Sequence, residues 1–201
     1  MDSYQTAELR TRIIDGAVIA VIDGGVAALS ATHVAEITGI ETTAIEEQFP
    51  TRDSMLATVV EHWTGAIGRP LLPIAETEGA VPYLQAVART YALEPQLMRL
   101  LAATLGASTD PAAPAASYYR AIYLRFVTTV HTALARDIEL GREPATLRPD
   151  RGALQLVALY DGFRMQSLLL PGQDIVIGFD RALSHLRRGW ARPERADEQT
   201  A

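Results

Sequence analysis

Two hundred and one residues, 48% of them hydrophobic, suit a chain with a small head and a larger body and can bury a substantial core. Cysteine is absent, which excludes disulfides and thiolate metal sites, and no run of about 18 apolar residues offers a membrane span. The net charge is −6, and all eighteen basic residues are arginine.

The chain opens on MDSYQTAELR, which lacks the basic-then-apolar layout of a signal peptide, so a cytoplasmic location is expected. Ile13, Ile14, Ala17, Val18, Val21 and Ile22 give a first long helix one apolar face, and Gly25 follows it. Ser30 stands where a second helix needs a cap, and Val34, Ala35 and Ile37 form its inner face. Gly39 ends that helix, because glycine enters the left-handed turn without steric penalty. Ile40 plugs the turn. Ala44, Ile45 and Phe49 supply the inner face of a third short helix, closed by Pro50. Thr51 caps the next, which starts at Arg52. Two short helices joined by a tight glycine turn form the reading unit of many DNA-binding proteins.

From Arg52 onward no alternating strand pattern persists, and proline and glycine punctuate a series of helices. These are expected over about Arg52 to Ile67, Val81 to Ala92, Gln96 to Leu105, Ala115 to Leu140, the RPD of 148–150 to Leu170, and Asp174 to Gly189. GASTDPAAPA reads as a loop. The fold class is therefore all-α, with a helix-turn-helix head over residues 1–50, a helical body over 51–190, and a polar tail over 191–201.

The head resembles the TetR family of bacterial transcriptional regulators. The residues carrying the resemblance lie in register from about 8 to 62: the apolar face of the first helix, Gly25, Ser30, Val34-Ala35, Gly39-Ile40, Phe49-Pro50 and Met55-Leu56. The resemblance implies a homodimer whose heads bind operator DNA and whose body holds a small ligand. It places Thr32, Thr42, Thr43, Glu46, Glu47 and Arg52 at the DNA. The chain departs from the family at several of these positions. Thr32 replaces a common arginine, Glu41-Thr42-Thr43 replaces a frequent Ser-Lys-Gly, and Glu46-Glu47 replaces a tyrosine followed by an aromatic or basic residue. Family side chains at those positions contact phosphates, and a glutamate there is repelled by the DNA backbone. Residues 1–60 hold Arg10, Arg12 and Arg52 against nine carboxylates, so the head carries the chain's whole excess of −6. Such a head lacks the usual cationic drive toward operator DNA. A solvated helix face accounts for Glu46 and Glu47 structurally. As readers of bases they could still accept from cytosine N4.

The body resembles the ligand-binding half of the same family more loosely, through RLLAATLGA, IELGREPATLRPD and LVALYDGFRMQSLLL. In that family the last two helices pair with their copies in a second subunit. Leu154, Val157, Asp161, Met165 and Leu168 on one helix, with Phe179, Leu183 and Leu186 on the next, are the dimer candidates. An internal cavity for a small apolar or aromatic ligand would draw on Trp63, Tyr91, Met98, Tyr119, Tyr123, Phe126, His131, Phe163 and Gln166. Core packing accounts for any one of these aromatics on its own. Asp161 and Arg164, three apart, match an intrahelical ion pair. The four histidines have no metal-ligand spacing, so neither metal nor cofactor is expected. No phosphate loop, GxSxG elbow or HExxH is present.

Two functions fit this reading. The first is a ligand-responsive regulator, most simply a repressor whose hold on operator DNA a small molecule alters. The second keeps the fold without DNA binding and uses the body cavity for a small molecule, as a binder or a biosynthetic enzyme.

Overall fold

The structure, a computed structural model, describes residues 3–113, 115–170 and 172–191. Among the described residues there is no strand. The helices are α1 (Ser3–Gly24), α2 (Ala31–Thr38), α3 (Thr42–Gln48), α4 (Arg52–Gly68), α5 (Leu72–Thr77), α6 (Ala80–Ala92), α7 (Pro95–Ala107), α8 (Ala116–Glu139), α9 (Pro149–Leu169) and α10 (Ile175–Trp190), with 3-10 turns at Val26–Ala28 and Arg69–Leu71. None is long and apolar enough to cross a membrane. The polar tail expected at the C-terminus lies, from residue 192 on, outside the described residues. The chain divides into two compact units, residues 1–70 with 90–124, and residues 71–89 with 125–201.

The first unit contains the expected head. Ile13, Ala17, Ala20 and Val21 line the buried side of α1, which packs on α2 and α4. Val34, Ile45, Phe49 and Met55 complete that core. Ser30 caps α2 by accepting the His33 N–H at 3.2 Å. Gly39 takes φ 70°, and its N–H closes on the Ala35 carbonyl. Thr51 and Ser54 form a reciprocal capping box at the start of α4.

One helix was not legible from punctuation. Proline and glycine between residues 68 and 82 suggest a break, yet a 3-10 turn and α5 occupy residues 69–77. Pro73 sits in the first turn of α5, where a missing N–H leaves no helical bond unmade.

The second unit is organised around a buried carboxylate. Leu84, Val130, Leu134, Leu156, Phe179 and Leu183 form part of its apolar core, and α9 packs on α10. Near the end of α8, buried Asp137 accepts the Ala80 N–H at 2.8 Å, which satisfies a donor in the first turn of α6. It also accepts from Arg142 at 3.2 Å. Six residues on, buried Glu143 pairs with Arg187 of α10 at 2.7 Å. Burial holds the Glu143 carboxyl above its usual range, against the opposing pull of Arg187.

Gly79 makes the Asp137 contact possible. Its φ is +110°, and a Cβ there would stand 2.2 Å from Asp137 Oδ1. Gly141 also has positive φ, at +71°, but a Cβ there would meet nothing within 4 Å. Gly79→Ala is therefore expected to destabilise by about 1–3 kcal/mol, lowering Tm by about 5 °C. Gly141→Ala bears only backbone strain and should lose less. Equal losses in thermal unfolding would show that Asp137 does not depend on the space at Gly79.

Candidate functional site

The head's three arginines are all engaged inside the head. Arg10 donates to the Gln48 carbonyl at 3.0 Å, and its guanidinium lies 4.2 Å from the centroid of the Phe49 ring. Arg12 donates to the Thr38 carbonyl at 3.4 Å. Arg52 donates through Nε to the Leu29 carbonyl at 3.0 Å and through a terminal nitrogen to that of Val26. Gln48 and Thr38 are the last residues of α3 and α2, while Val26 and Leu29 belong to the 3-10 turn and its cap. The arginines thus meet the Gln48, Thr38 and Leu29 carbonyls, ends that a short helix leaves without a partner, while the Val26 carbonyl also accepts the Leu29 N–H. The charge also suits the negative end of a helix dipole.

The sequence places Arg52 at the DNA, and its guanidinium is occupied by two carbonyls of the head itself. Thr32, Thr43, Glu46 and Glu47 are exposed, and Thr42 is half-buried. The outer side of α3 therefore presents hydroxyls and two carboxylates to solvent. No sequence signal marks the arginine–carbonyl bonds, because they span 23 to 38 residues of chain.

The ligand candidates divide between the two units. Trp63, Tyr91, Met98, Tyr119 and Tyr123 belong to the first. The first four are buried, and the rings of Trp63 and Tyr91 lie 5.1 Å apart. Trp63 Nε1 and the Tyr119 hydroxyl are buried without a hydrogen-bond partner. Thr104 and Ser108 are buried nearby in sequence, but their hydroxyls are satisfied by carbonyls of their own helix. Two buried donors without partners suit a ligand carrying hydrogen-bond acceptors.

Phe126, His131, Phe163 and Gln166 belong to the second unit. Phe126 joins a run of rings, 6.3 Å from Tyr83 and 5.7 Å from Tyr160, with Phe179 6.1 Å beyond Tyr160. His131 is half-buried and Gln166 exposed. Phe163 lies over Gly178, where an added Cβ would come within 2.5 Å of its ring. A shallow groove between α5 and α8 is lined by Leu72, Glu76, Thr128, Thr132 and Arg136. None of the sequence-selected ligand residues lines it.

The dimer candidates also divide. Val157, Phe179 and Leu183 are buried within one copy, where α9 meets α10. Leu154 and Met165 are exposed, whereas Asp161, Leu168 and Leu186 are half-buried. Leu154, at 61% exposure, and Leu169, at 70%, extend an apolar stripe along the outer side of α9. Asp161 meets Arg164 at 3.0 Å, the expected intrahelical pair. Among the described residues no group of histidines and carboxylates could hold a metal ion.

Burial raises the Tyr83 hydroxyl to about 12. Burial also raises Tyr119 to about 12, with the Asp53 charge adding to it. A raised phenol stabilises the fold fully below the unfolded value near 10, and that stability is lost as pH climbs from 10 toward 12. Ultraviolet titration should therefore find these two tyrosines ionising well above pH 10, together with alkaline unfolding. Tyr119→Phe should remove one late-ionising group. If every tyrosine titrated near pH 10 in the folded protein, the burial would be wrong.

No family model matches the sequence, and no curated protein matches it. Solved structures do match in fold. A TetR transcription regulator from Haloarcula marismortui superposes with a TM-score of 0.75 at 17% identity, covering 92% of this chain and 98% of that one. The regulator FadR from Bacillus subtilis, in complex with stearoyl-CoA, gives 0.70 at 16% identity, over 90% and 98%. FadR from Thermus thermophilus, a TetR-family repressor in complex with lauroyl-CoA, gives 0.64 at 19%, over 93% and 97%. The all-helical architecture described above is thus, across nine-tenths of its length, the fold of TetR-family transcriptional regulators.

Proposed function

We propose that the protein is a ligand-responsive transcriptional regulator of the TetR type, acting as a homodimer. The observation that carries this reading is the shared fold over nine-tenths of the chain, with regulators that include two bound to acyl-CoA. A small apolar or aromatic molecule enters the body and biases the spacing of the two heads, and so their affinity for a two-fold operator. Trp63, Tyr91, Met98 and Tyr119 are the side chains best suited to hold it, since Trp63 and Tyr119 bring uncommitted donors. In the dimer, Leu154, Met165, Leu168 and Leu169 of α9 meet a second copy, with Asp161 and Leu186 at the margin. Val157, Phe179 and Leu183 support that face from inside.

At the operator, Thr42, Thr43 and Glu47 stand nearest the base edges, with Thr32 and Glu46 toward the backbone. Arg52 contributes by holding α4 to the 3-10 turn. Phosphate attraction is weak because the head sets nine carboxylates against three arginines, whose donors are also partly engaged by carbonyls, so recognition rests on base contacts and on the pairing of two heads. The same observation favours a second reading, in which the fold persists without operator binding and the body acts as a small-molecule binder or biosynthetic enzyme.

Three measurements test this. Leu154→Glu with Leu169→Glu should give monomers by light scattering, where the wild type is a dimer at micromolar concentration. A monomeric wild type overturns the assembly. In selection from random duplexes, the dimer should enrich a palindrome with a salt slope shallower than about −4. Glu46→Lys with Glu47→Lys should tighten binding to random DNA at low salt. A steep wild-type slope overturns the charge argument. If no palindrome is enriched while the neutral dye Nile red still binds the body, the second reading stands. Arg52→Ala should lower Tm by about 2–4 °C, as expected for the loss of about 1 kcal/mol. An unchanged Tm with weakened DNA binding would return Arg52 to the phosphate role.

A further inference from the structure

The inward stripe of α9 runs through Ala153, Leu156, Val157 and Tyr160 and ends on Arg164, which is 6% exposed. A guanidinium keeps its charge under all physiological conditions, so a permanent cation sits at the end of an apolar stripe. One of its terminal nitrogens forms an ion pair with Asp161 Oδ1 at 3.0 Å. That carboxylate side chain is 23% exposed, and water screens part of its charge. The Tyr160 ring centroid lies 5.9 Å from the guanidinium carbon, near the outer limit for a cation–π contact. Arg164 Nε is buried and has no acceptor. Among the described residues no other arginine combines burial with an unmet donor. The Nε–H and the terminal N–H beside it form the edge that accepts a carboxylate side-on. Asp161 leaves that edge incompletely used.

We propose that Arg164 is the anchor for the carboxylate of a small amphipathic acid. The acid's apolar part would lie against the aromatic run of Tyr160, Phe126 and Tyr83 in the second unit. This site is separate from the donors at Trp63 and Tyr119, and it rests on the proposed function only in that the body takes up small molecules. The bound acid completes the hydrogen bonding of Arg164 and gives the buried cation a second counter-charge. An amide of the same length offers no charge and binds weakly.

The test compares thermal shifts for octanoate, decanoate and 4-phenylbutyrate with those for the matching amides. At saturating concentration at least one carboxylate should raise Tm by about 5 °C, and its amide by far less. Arg164→Met should abolish the preference for carboxylate while circular dichroism remains helical. Without ligand, Arg164→Met paired with Asp161→Asn should be at least as stable as wild type, because removing a poorly satisfied buried ion relieves its desolvation cost. Equal shifts for acid and amide, an undiminished carboxylate shift in Arg164→Met, or no shift with any of the acids would each overturn the proposal. A double variant markedly less stable than wild type would also overturn it, making Arg164 a structural tie. Nile red binding to Arg164→Met is read separately. Its loss in both wild type and variant speaks against small-molecule uptake by the body, whereas its retention with no response to acids speaks against Arg164 alone.

Discussion

Short helices end in carbonyls that nothing in the helix can satisfy, and in this protein arginine meets that need. Arg12, Arg10 and Arg52 do so at the ends of α2, α3 and the 3-10 turn of the head. Arg136 does the same for α5, donating to the carbonyls of Ala75 and Glu76. A guanidinium is well suited to the task, with five donors on a planar head and a stem long enough to cross from one helix to the next. Helices of six to eight residues have little cooperativity of their own, so their persistence depends on such tertiary bonds and on burial of one face.

This use of arginine has a consequence for recognition. The head's three arginines keep their charge, but their donors are directed at its own carbonyls. Meanwhile Glu41, Glu46 and Glu47 remain in solvent beside α3. Arg164 contrasts with the head's three arginines. It is buried among side chains, has one carboxylate neighbour, and keeps an N–H that no carbonyl takes up.

In the second unit, the equivalent organising role falls to carboxylates. Asp137 and Glu143 bring α6, α8 and α10 into one bonded arrangement, and Gly79 has the conformation and the space that this arrangement requires. Apolar packing alone would leave the register of these helices loosely defined, because leucine and alanine faces tolerate sliding. Directional bonds from buried carboxylates remove that freedom.

By itself, the sequence determined the helical class, the helix-turn-helix and nearly every helix end. Ser30, Gly39, Thr51 and Asp174 act within a few residues of their own position, through caps and turns that depend only on local backbone chemistry. The acidity of the head was equally legible, since charge is a count. Only the tertiary structure decided which face of α9 turns outward, because Leu154 and Val157 are alike in hydropathy and differ in what lies opposite them. It decided that Val157, Phe179 and Leu183 belong to the interior of one copy, and that Trp63 and Tyr119 carry donors without acceptors. It also decided the fates of Arg10, Arg12, Arg52, Asp137 and Arg164. Each depends on an atom far away along the chain, and no local pattern encodes where a long side chain finds its partner.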